Sequence, residues 1–506
     1  MQFNSYIFIL LFLPIALIFY FTLHHFGKER WAKAFLLGMS LWFYGYFNVS
    51  YLAIICASIC VNYLLSRGMT GEKEGRSKYL LWTGIVFNVA LIFYFKYYDF
   101  FLSNINAVFG TDFVLKNILL PLGISFFTFQ QISFIVDSYK GETRDYSFLD
   151  YALFVAFFPQ LVAGPIVLHS ELIPQFKDKA KCRPDFDNLS DGLILFSRGL
   201  AKKILIADTF GNAVDYGFSR AAIYATGESA LSPREILIVM LAYTFQIYFD
   251  FSGYSDMATG LGAMFNFKIP MNFNSPYKAL SVADFWKRWH MTLTRFLTNY
   301  VYIPLGGNRK GKVRTYVNVL LVFLISGIWH GANWTFILWG VIHGLGQCFN
   351  KATHGLYKKI YSALEKSSAG SVLTAILKTI QWCVTFIFIN VTWMLFRADS
   401  IKMFWQMFRR IFVPYYYVGN EVLEYFRIPK ITYVFNKLGI GISEHGLLVL
   451  CTTVTMLAAL VLVLAFPNNY ESKRKKNVFN LLGTCALLVL CILSMGKISQ
   501  FLYFNF

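Results

Sequence analysis

The stretch SGIWHGANW, Ser326 to Trp334, places an ionisable side chain, His330, between two indoles and beside a glycine inside a long apolar run. An unperturbed imidazole titrates near roughly 6.5, which suits it to draw a proton from a hydroxyl near neutral pH. The other reading is a structural histidine, hydrogen-bonded across helices. Gly327 and Gly331 let chains approach closely, and Asn333 is a polar neighbour. Trp329, Trp334 and Trp339 crowd the same region, where they either wall a channel or anchor at an interface.

A second constellation precedes it in SVADFWKRWHMTLTRFL, residues 281–297. On one continuous helix Trp286, Trp289, His290 and Leu293 share a face, with Asp284, Lys287, Arg288 and Arg295 largely elsewhere. Asp284 can pair with Lys287 or Arg288 at i+3 or i+4. The segment reads either as a salt-bridged amphipathic helix or as the basic mouth for a phosphate-bearing donor, lined by His290. PLGGNRKG, residues 304–311, adds charge and flexible backbone beside it, without the spacing of a P-loop. A third set is FDFSGYSDMATG, residues 249–260, where Asp250 and Asp256 interrupt an apolar run. Carboxylates there cost several kcal/mol unless paired or hydrated. They line a polar path, orient a histidine, or hold helices together with Ser252, Ser255 and Thr259.

The elements that must position these residues are membrane helices. Of 506 residues 57% are hydrophobic and only 14% charged, with a mean hydropathy of +0.51. A soluble chain of this length carries far more charge. Apolar runs near the roughly 20 residues that cross a bilayer recur from end to end, and the short alternating segments of an outer-membrane barrel are absent from the pattern. The expectation is an all-α, polytopic helical membrane protein with roughly a dozen membrane segments. Beyond two segments between the first basic loops, candidate spans fall near 79–97, 115–137, 150–168, 190–207, 235–262, 315–329, 332–349, 372–396, 446–466 and 478–503, some of them re-entrant. MQFNSYIFILLFLPIALIFYF reads as a retained first span, since no basic residue precedes it and no small-residue cleavage site follows.

The net charge of +19 is accounted for by basic cytosolic loops such as 24–33 and 66–78, a bias compatible with holding an anionic cofactor or lipid headgroups. The basic NRKGKVR, residues 308–314, and the cluster of Lys351, Lys358 and Lys359 flank two apolar segments. That implies a hairpin turning at His330-Gly331-Ala332-Asn333. Thr315 to Trp329 is 15 residues, roughly 22 Å of helix at about 1.5 Å per residue, in a hydrocarbon core about 30 Å thick. His330 is therefore expected deep in the far half of the membrane, facing a wet cavity or thinned bilayer. The region 397–445 carries apolar residues at helical spacing (Phe404, Phe408, Ile411 and Phe412) with Lys402, Gln406, Arg409 and Arg410 opposite. It reads as interfacial helices that contact lipid or dock a partner. The eight cysteines lie mostly in apolar runs with no CxxC pair, so neither a disulfide framework nor a zinc or other metal site is expected.

LPLGISFFTFQQISFIVDSYKG (120–141), FPQLVAGPIV (158–167), FDFSGYSDMATGL (249–261), NFNSPYKALSVADFWKRWHMTLTRFL (272–297), YIPLGGNRKG (302–311) and SGIWHGANWTFILWGVIHG (326–344) together carry a resemblance. The chain resembles the membrane-bound O-acyltransferase family, in the branch of bacterial alginate and peptidoglycan O-acetyltransferase membrane subunits. The resemblance implies helices around a transmembrane funnel or tunnel, in a single integral membrane domain over 1–506. Its motif-rich core would be 115–349, with interfacial helices about 397–445 and C-terminal spans 446–503. His330 matches the family's essential histidine and His290 its second one.

The implied reaction moves an acetyl group from cytosolic acetyl-CoA, with no bound cofactor, across the membrane to a polysaccharide acceptor. Asn333 or nearby backbone N–H groups would steady the oxyanion. Together with Asn333, the residues Trp329, Trp334, Asp250, Asp256, Asp284, Lys287, Arg288 and Arg295 would bind substrate or donor or line the tunnel. Membrane lipids and an extracytoplasmic serine-type acetyltransferase are the implied partners, nucleic acid is not, and the setting is the inner (cytoplasmic) membrane. GYS here lacks the GxSxG of a nucleophile elbow, so the serine chemistry would belong to the partner. The competing readings are transfer of another acyl group, such as D-alanine to teichoic acid, and a non-enzymatic polysaccharide transporter.

Overall fold

The computed structural model describes residues 1–69, 74–224, 231–366, 369–415, 417–438, 441–472, 477–496 and 499–502. Part of the second basic loop (70–73), residues 416 and 439–440 of the interfacial region, and residues 497–498 and 503 of the last span lie outside them. Every regular element among the described residues is helical. Among the described residues, seven helical stretches are long and apolar enough to cross a membrane: Phe8–His25, Ser50–Gly68, Gly75–Phe109, Pro233–Met264, Lys312–His330, Gly370–Arg397 and Glu444–Leu464. Val478–Ser494 is a shorter apolar helix.

The chain forms two compact units. The first comprises Met1–Ala201, Ser252–Asn272 and Arg474–Phe506. It is built on backbone proximity between the helix Phe186–Ala201 and the C-terminal part of Pro233–Met264. A Cβ on Gly192 would stand 2.5 Å from the Gly260 carbonyl oxygen, and one on Gly199 would stand 2.6 Å from that of Gly253. Small residues allow such contact where lipid supplies no hydrophobic drive between helices. Phe3, Phe8, Phe12, Phe43 and Phe158 fill the space around that pair with rings 5.0–6.1 Å apart. Polar side chains join further helices: Asn88 Nδ2 donates to Asn62 Oδ1 at 2.6 Å and Gln131 Nε2 to Ser58 Oγ at 3.0 Å.

Two expected spans in this unit are broken. In 115–137 the helix begins only at Ile124, after Gly123 at φ +70°. In 150–168 the helix Phe148–Ala156 stops at Phe157, and a short turn, Phe158–Leu161 with Pro159 inside, follows. The two irregular stretches meet, since a Cβ on Gly123 would lie 2.7 Å from the Leu161 carbonyl oxygen. The backbone groups freed at the break find partners. Gln160 Nε2 donates to the Phe154 carbonyl at 2.6 Å, and the Phe158 N–H donates to Ser40 Oγ at 3.2 Å. Non-helical backbone is tolerated in a membrane protein only where protein satisfies it in this way. Asp137, Glu142 and His169 bring potential ligand atoms within 4.8 Å of one another, but a cation already serves this cluster: Lys140 Nζ lies 2.7 Å from Asp137 Oδ1.

The second unit comprises Lys202–Phe251 and Phe273–Lys473. Its main features are the helices Lys312–His330, Trp334–Leu364 and Gly370–Arg397. The first two form the expected hairpin, turning at Gly331-Ala332-Asn333. In 397–445 the helices are Ile401–Arg410, Asn420–Glu424 and Pro429–Lys437. The first buries Met403, Phe404 and Met407, while Trp405 and Phe412 are exposed.

Candidate active site

His330 is the last residue of its helix and is buried. Its ring packs against Trp329, Trp339 and Phe396, with centroids 4.8, 5.1 and 5.2 Å away. What sets the distance to Trp339 is a glycine crossing. A Cβ on Gly327 would stand 2.4 Å from the Phe336 carbonyl oxygen, and one on Gly340 would stand 2.4 Å from that of Phe323. The two helices of the hairpin therefore touch backbone to backbone one turn before His330.

The 281–297 segment departs from the single helix expected. A helix Val282–Trp286, capped by Ser281, is followed by a turn, and a second helix, Met291–Leu297, begins after His290. His290 has φ +46° and ψ +51°, the left-handed region, which a non-glycine residue seldom adopts, though histidine does so more readily than most. The Arg288 carbonyl accepts from the Asn274 N–H at 2.8 Å instead of continuing a helix. The break turns the fully buried His290 ring onto Phe251, 4.8 Å away edge-on, and Trp329, 6.1 Å away. Trp329 thus touches both histidines. Burial pushes the His290 imidazole well below its usual pKa, so it is neutral.

Other residues singled out in the sequence take distinct places. Asp284 pairs with Arg288 Nε at 2.9 Å, both groups about one-third exposed. Lys287 is exposed, and Arg295 lies half-buried on the second short helix. Asn333 caps the second helix of the hairpin: its Oδ1 accepts from the Thr335 N–H at 3.0 Å and its Nδ2 donates to the Asp399 carbonyl at 2.9 Å. Trp329 is buried, whereas Trp334 is 53% exposed. Asp250 is buried in a bond to Lys203 Nζ at 2.8 Å, and the same ammonium reaches Asp208 at 2.9 Å. Asp256 is buried on the same helix as Asp250 but belongs to the first unit.

Sequence reasoning passed over Lys203, which nothing local marks as Asp250's partner. It also passed over His343, fully buried in the Trp334–Leu364 helix. The Trp286 indole N–H donates to His343 Nδ1 at 3.1 Å, and Nε2 lies 3.1 Å from Thr392 Oγ1. Thr392 in turn donates to the Ile389 carbonyl at 3.0 Å. An accepting Nδ1 puts the proton on Nε2, so every hydrogen in this chain has one direction. The signal for His343 was the one used for His330, an ionisable residue between glycines in an apolar run. Trp339 lies between the two, 5.1 Å from His330 and 4.7 Å from His343.

Two cavities flank the Val282–Trp286 helix and share Ala283 and Lys287. The larger, about 780 Å³, is bordered by Asp284, Asn350, His354, Tyr361 and Gln381 among others. The smaller, about 270 Å³, extends past Trp286 and Phe323 to Ser326.

The sequence is comparable with those of known proteins. The model of the membrane-bound O-acyltransferase family matches residues 80–397. The chain is similar to the peptidoglycan O-acetyltransferase of Helicobacter pylori, 39% identical across 100% of this chain and 97% of that protein. It is similar to the probable alginate O-acetylase AlgI of Pseudomonas aeruginosa, 37% identical over 81% of this chain and 75% of that one. A teichoic acid D-alanyltransferase of Streptococcus thermophilus is 28% identical over 47% of this chain and 58% of its own length.

Proposed function

Because the chain belongs to the membrane-bound O-acyltransferase family, and is on that ground a multi-pass membrane O-acyltransferase, we propose that it takes acetyl from acetyl-CoA at the cytosolic face for O-acetylation of a cell-surface or exported polysaccharide. The observation that carries acetyl over another acyl group is coverage. The named O-acetyltransferase of peptidoglycan aligns with the whole chain, whereas the D-alanyltransferase aligns with less than half of it. The protein acts as one integral membrane domain in the inner (cytoplasmic) membrane.

His330 is the general base. Its imidazole takes the proton of the acceptor hydroxyl as that oxygen bonds to the thioester carbon. The carbon–sulfur bond then breaks, and the CoA thiolate recovers the proton. A buried site walled by rings favours this, because water that would hydrolyse the thioester is kept out. His290 holds Trp329 and through it His330, which makes it a positioning residue. Lys287, Arg288 and Arg295 supply positive charge for the donor's phosphates. An extracytoplasmic serine-type acetyltransferase is the partner that carries acetyl onward to the glycan.

The test uses purified full-length protein in nanodiscs with acetyl-labelled acetyl-CoA and a soluble oligosaccharide that supplies the acceptor hydroxyls, following CoA release and label transfer. Wild type is expected to turn over and His330→Ala to lose at least about a hundredfold in kcat, the lower range for removing a general base, while melting as wild type does. Equal turnover by the two proteins would remove His330 from the chemistry.

A further inference from the structure

The larger cavity, about 780 Å³, is walled by the helices Trp334–Leu364, Gly370–Arg397 and Val282–Trp286. Its lining changes character along its length. On the Trp334–Leu364 helix Ile342, Leu345 and Phe349 give way to Asn350, His354 and Tyr357, all on one side of the helix. The Gly370–Arg397 helix faces the apolar part with Ile380, Val384 and Phe388. That helix is long and apolar enough to span a membrane and is scarcely buried within the protein. Leu345, Phe349, Ile380 and Val384 are each more than half exposed, so this part of the cavity opens on hydrocarbon. Gly346 keeps its floor clear, since a Cβ there would stand 3.3 Å from both Phe388 and Val282. The polar part lies at another depth. Trp334–Leu364 has 31 residues, roughly 46 Å of helix against a hydrocarbon core of about 30 Å, so its last turns stand among headgroups. Lys351 and Lys358 are exposed at this rim, each the residue after a lining one, Asn350 and Tyr357. By the bias that gathers basic residues on the cytosolic side, this end meets the cytosolic leaflet, whose surface is negative. Asp284, which also lines the cavity, pairs with Arg288 at 2.9 Å and so does not cancel the charge of the rim.

We propose that this cavity holds one anionic glycerophospholipid of the cytosolic leaflet, with its phosphate among Asn350, His354, Lys351 and Lys358 and an acyl chain along Leu345, Phe349 and Val384. The lipid is a resident part of the fold and takes no part in acyl transfer. The volume lies inside the range of roughly 300–1,000 Å³ for ligand pockets, deeper than a groove that bulk lipid merely covers. Asn350 is placed to read the headgroup. Its Oδ1 accepts from the Ala283 N–H at 2.9 Å, which leaves the side-chain N–H groups to donate to a phosphate. A phosphate there braces the start of the Val282–Trp286 helix. Tyr361 donates to Gln381 at 2.6 Å and joins the two long helices at the same end, so the lipid bridges three helices that protein contacts already bring together.

The experiment uses full-length protein purified in detergent, with phosphatidylglycerol, phosphatidylcholine and inorganic phosphate as probes. Native mass spectrometry counts bound lipid, and thermal melting reads the stabilisation that binding confers. Wild type is expected to bind one phosphatidylglycerol about tenfold more tightly than phosphatidylcholine, the effect of one or two basic groups at a lipid headgroup, and to melt higher with it. Val384→Trp fills the apolar part and should weaken both lipids by about tenfold or more. His354→Glu puts a negative charge at the polar end and should bring phosphatidylglycerol down to the level of phosphatidylcholine. Ile376→Trp adds similar bulk at an exposed position of the same helix outside the cavity and should bind as wild type does. Equal binding of the two lipids by wild type, or wild-type binding by either folded cavity variant, would overturn the proposal. So would equal weakening by Ile376→Trp and Val384→Trp, the mark of annular contact. Inorganic phosphate that raised the melting temperature as far as phosphatidylglycerol does would overturn it too, because the ligand would then be a soluble anion.

Discussion

The contact that fixes His330 is tested by adding one methyl group at Gly327. In Gly327→Ala the new carbon would stand 2.4 Å from the Phe336 carbonyl oxygen and 3.1 and 3.2 Å from the Gly340 Cα and N. All three atoms are backbone, so no side chain can swing aside. Ordinary contact begins at 3.4 Å, about 1.0 Å beyond the first of these distances, so the two helices of the hairpin must part by a distance of that order. Overpacking of this kind costs about 1–3 kcal/mol, which a folded chain survives. The catalytic consequence is larger, because His330 sits on one helix of the pair and Trp339 on the other, and a displacement of about 1 Å can lower kcat by roughly a hundredfold. The control is Gly355→Ala on the same second helix, where a Cβ meets nothing within 4 Å. It is expected to keep wild-type kcat and gain about 0.5–1 kcal/mol from helix propensity. CoA release and thermal melting of the three proteins, side by side, decide the matter. Wild-type kcat in a folded Gly327→Ala would show that the crossing does not set the histidine's position.

Two further substitutions probe the polar groups behind the site. Lys203→Met leaves Asp250 buried without its ammonium and is expected to cost about 3–5 kcal/mol. The double variant with Asp250→Leu should recover much of that, and additive losses in thermal melts would mean the pair is not coupled. His343→Leu strands the Trp286 indole N–H inside the protein, while the Thr392 hydroxyl keeps its bond to the Ile389 carbonyl. A loss of about 1–3 kcal/mol is expected, with a smaller loss for Thr392→Val, and equal melting of His343→Leu and wild type would refute the directed chain from Trp286 to Ile389.

What could be read from the sequence is what lies close together along it. The hairpin and its histidine share one motif, and the glycines at 327 and 331 signal close approach in the sequence itself. Asn333 takes a place that the reading of the sequence did not give it, the N-cap of the second helix of the hairpin, a position that asparagine prefers. The partner of Asp250 was not legible, because Lys203 lies 47 residues away and its ammonium looks, in sequence, like any basic loop residue. Of the stripe Phe404, Phe408 and Phe412, the first two lie on the helix Ile401–Arg410 and Phe412 lies beyond its end, while Met403 and Met407 take the buried side beside Phe404. Hydropathy also counted 115–137 and 150–168 as spans. Averages over a window cannot see Gly123 adopting a positive φ, nor the Gln160 and Ser40 side chains that make a broken backbone tolerable.

The break at His290 shows why one helix would have served this site badly. On a continuous helix Trp286 and His290, four residues apart, would lie on one face and meet the same neighbours. In the folded chain they meet different ones. Trp286 packs on Phe323, Trp339 and His343 at 5.2, 5.7 and 5.4 Å, and His290 packs on Phe251 and Trp329. The left-handed residue at the break is the histidine itself, with its backbone strain of order 1–3 kcal/mol held in place by full burial of its ring. Trp339 and Trp329 are the two rings that carry these separate contacts to His330. A histidine at a helix end, where backbone order normally frays, is therefore braced through indoles whose own positions depend on both short helices. Straightening 282–297 into one helix would relieve the strain at His290 and withdraw one of the two braces.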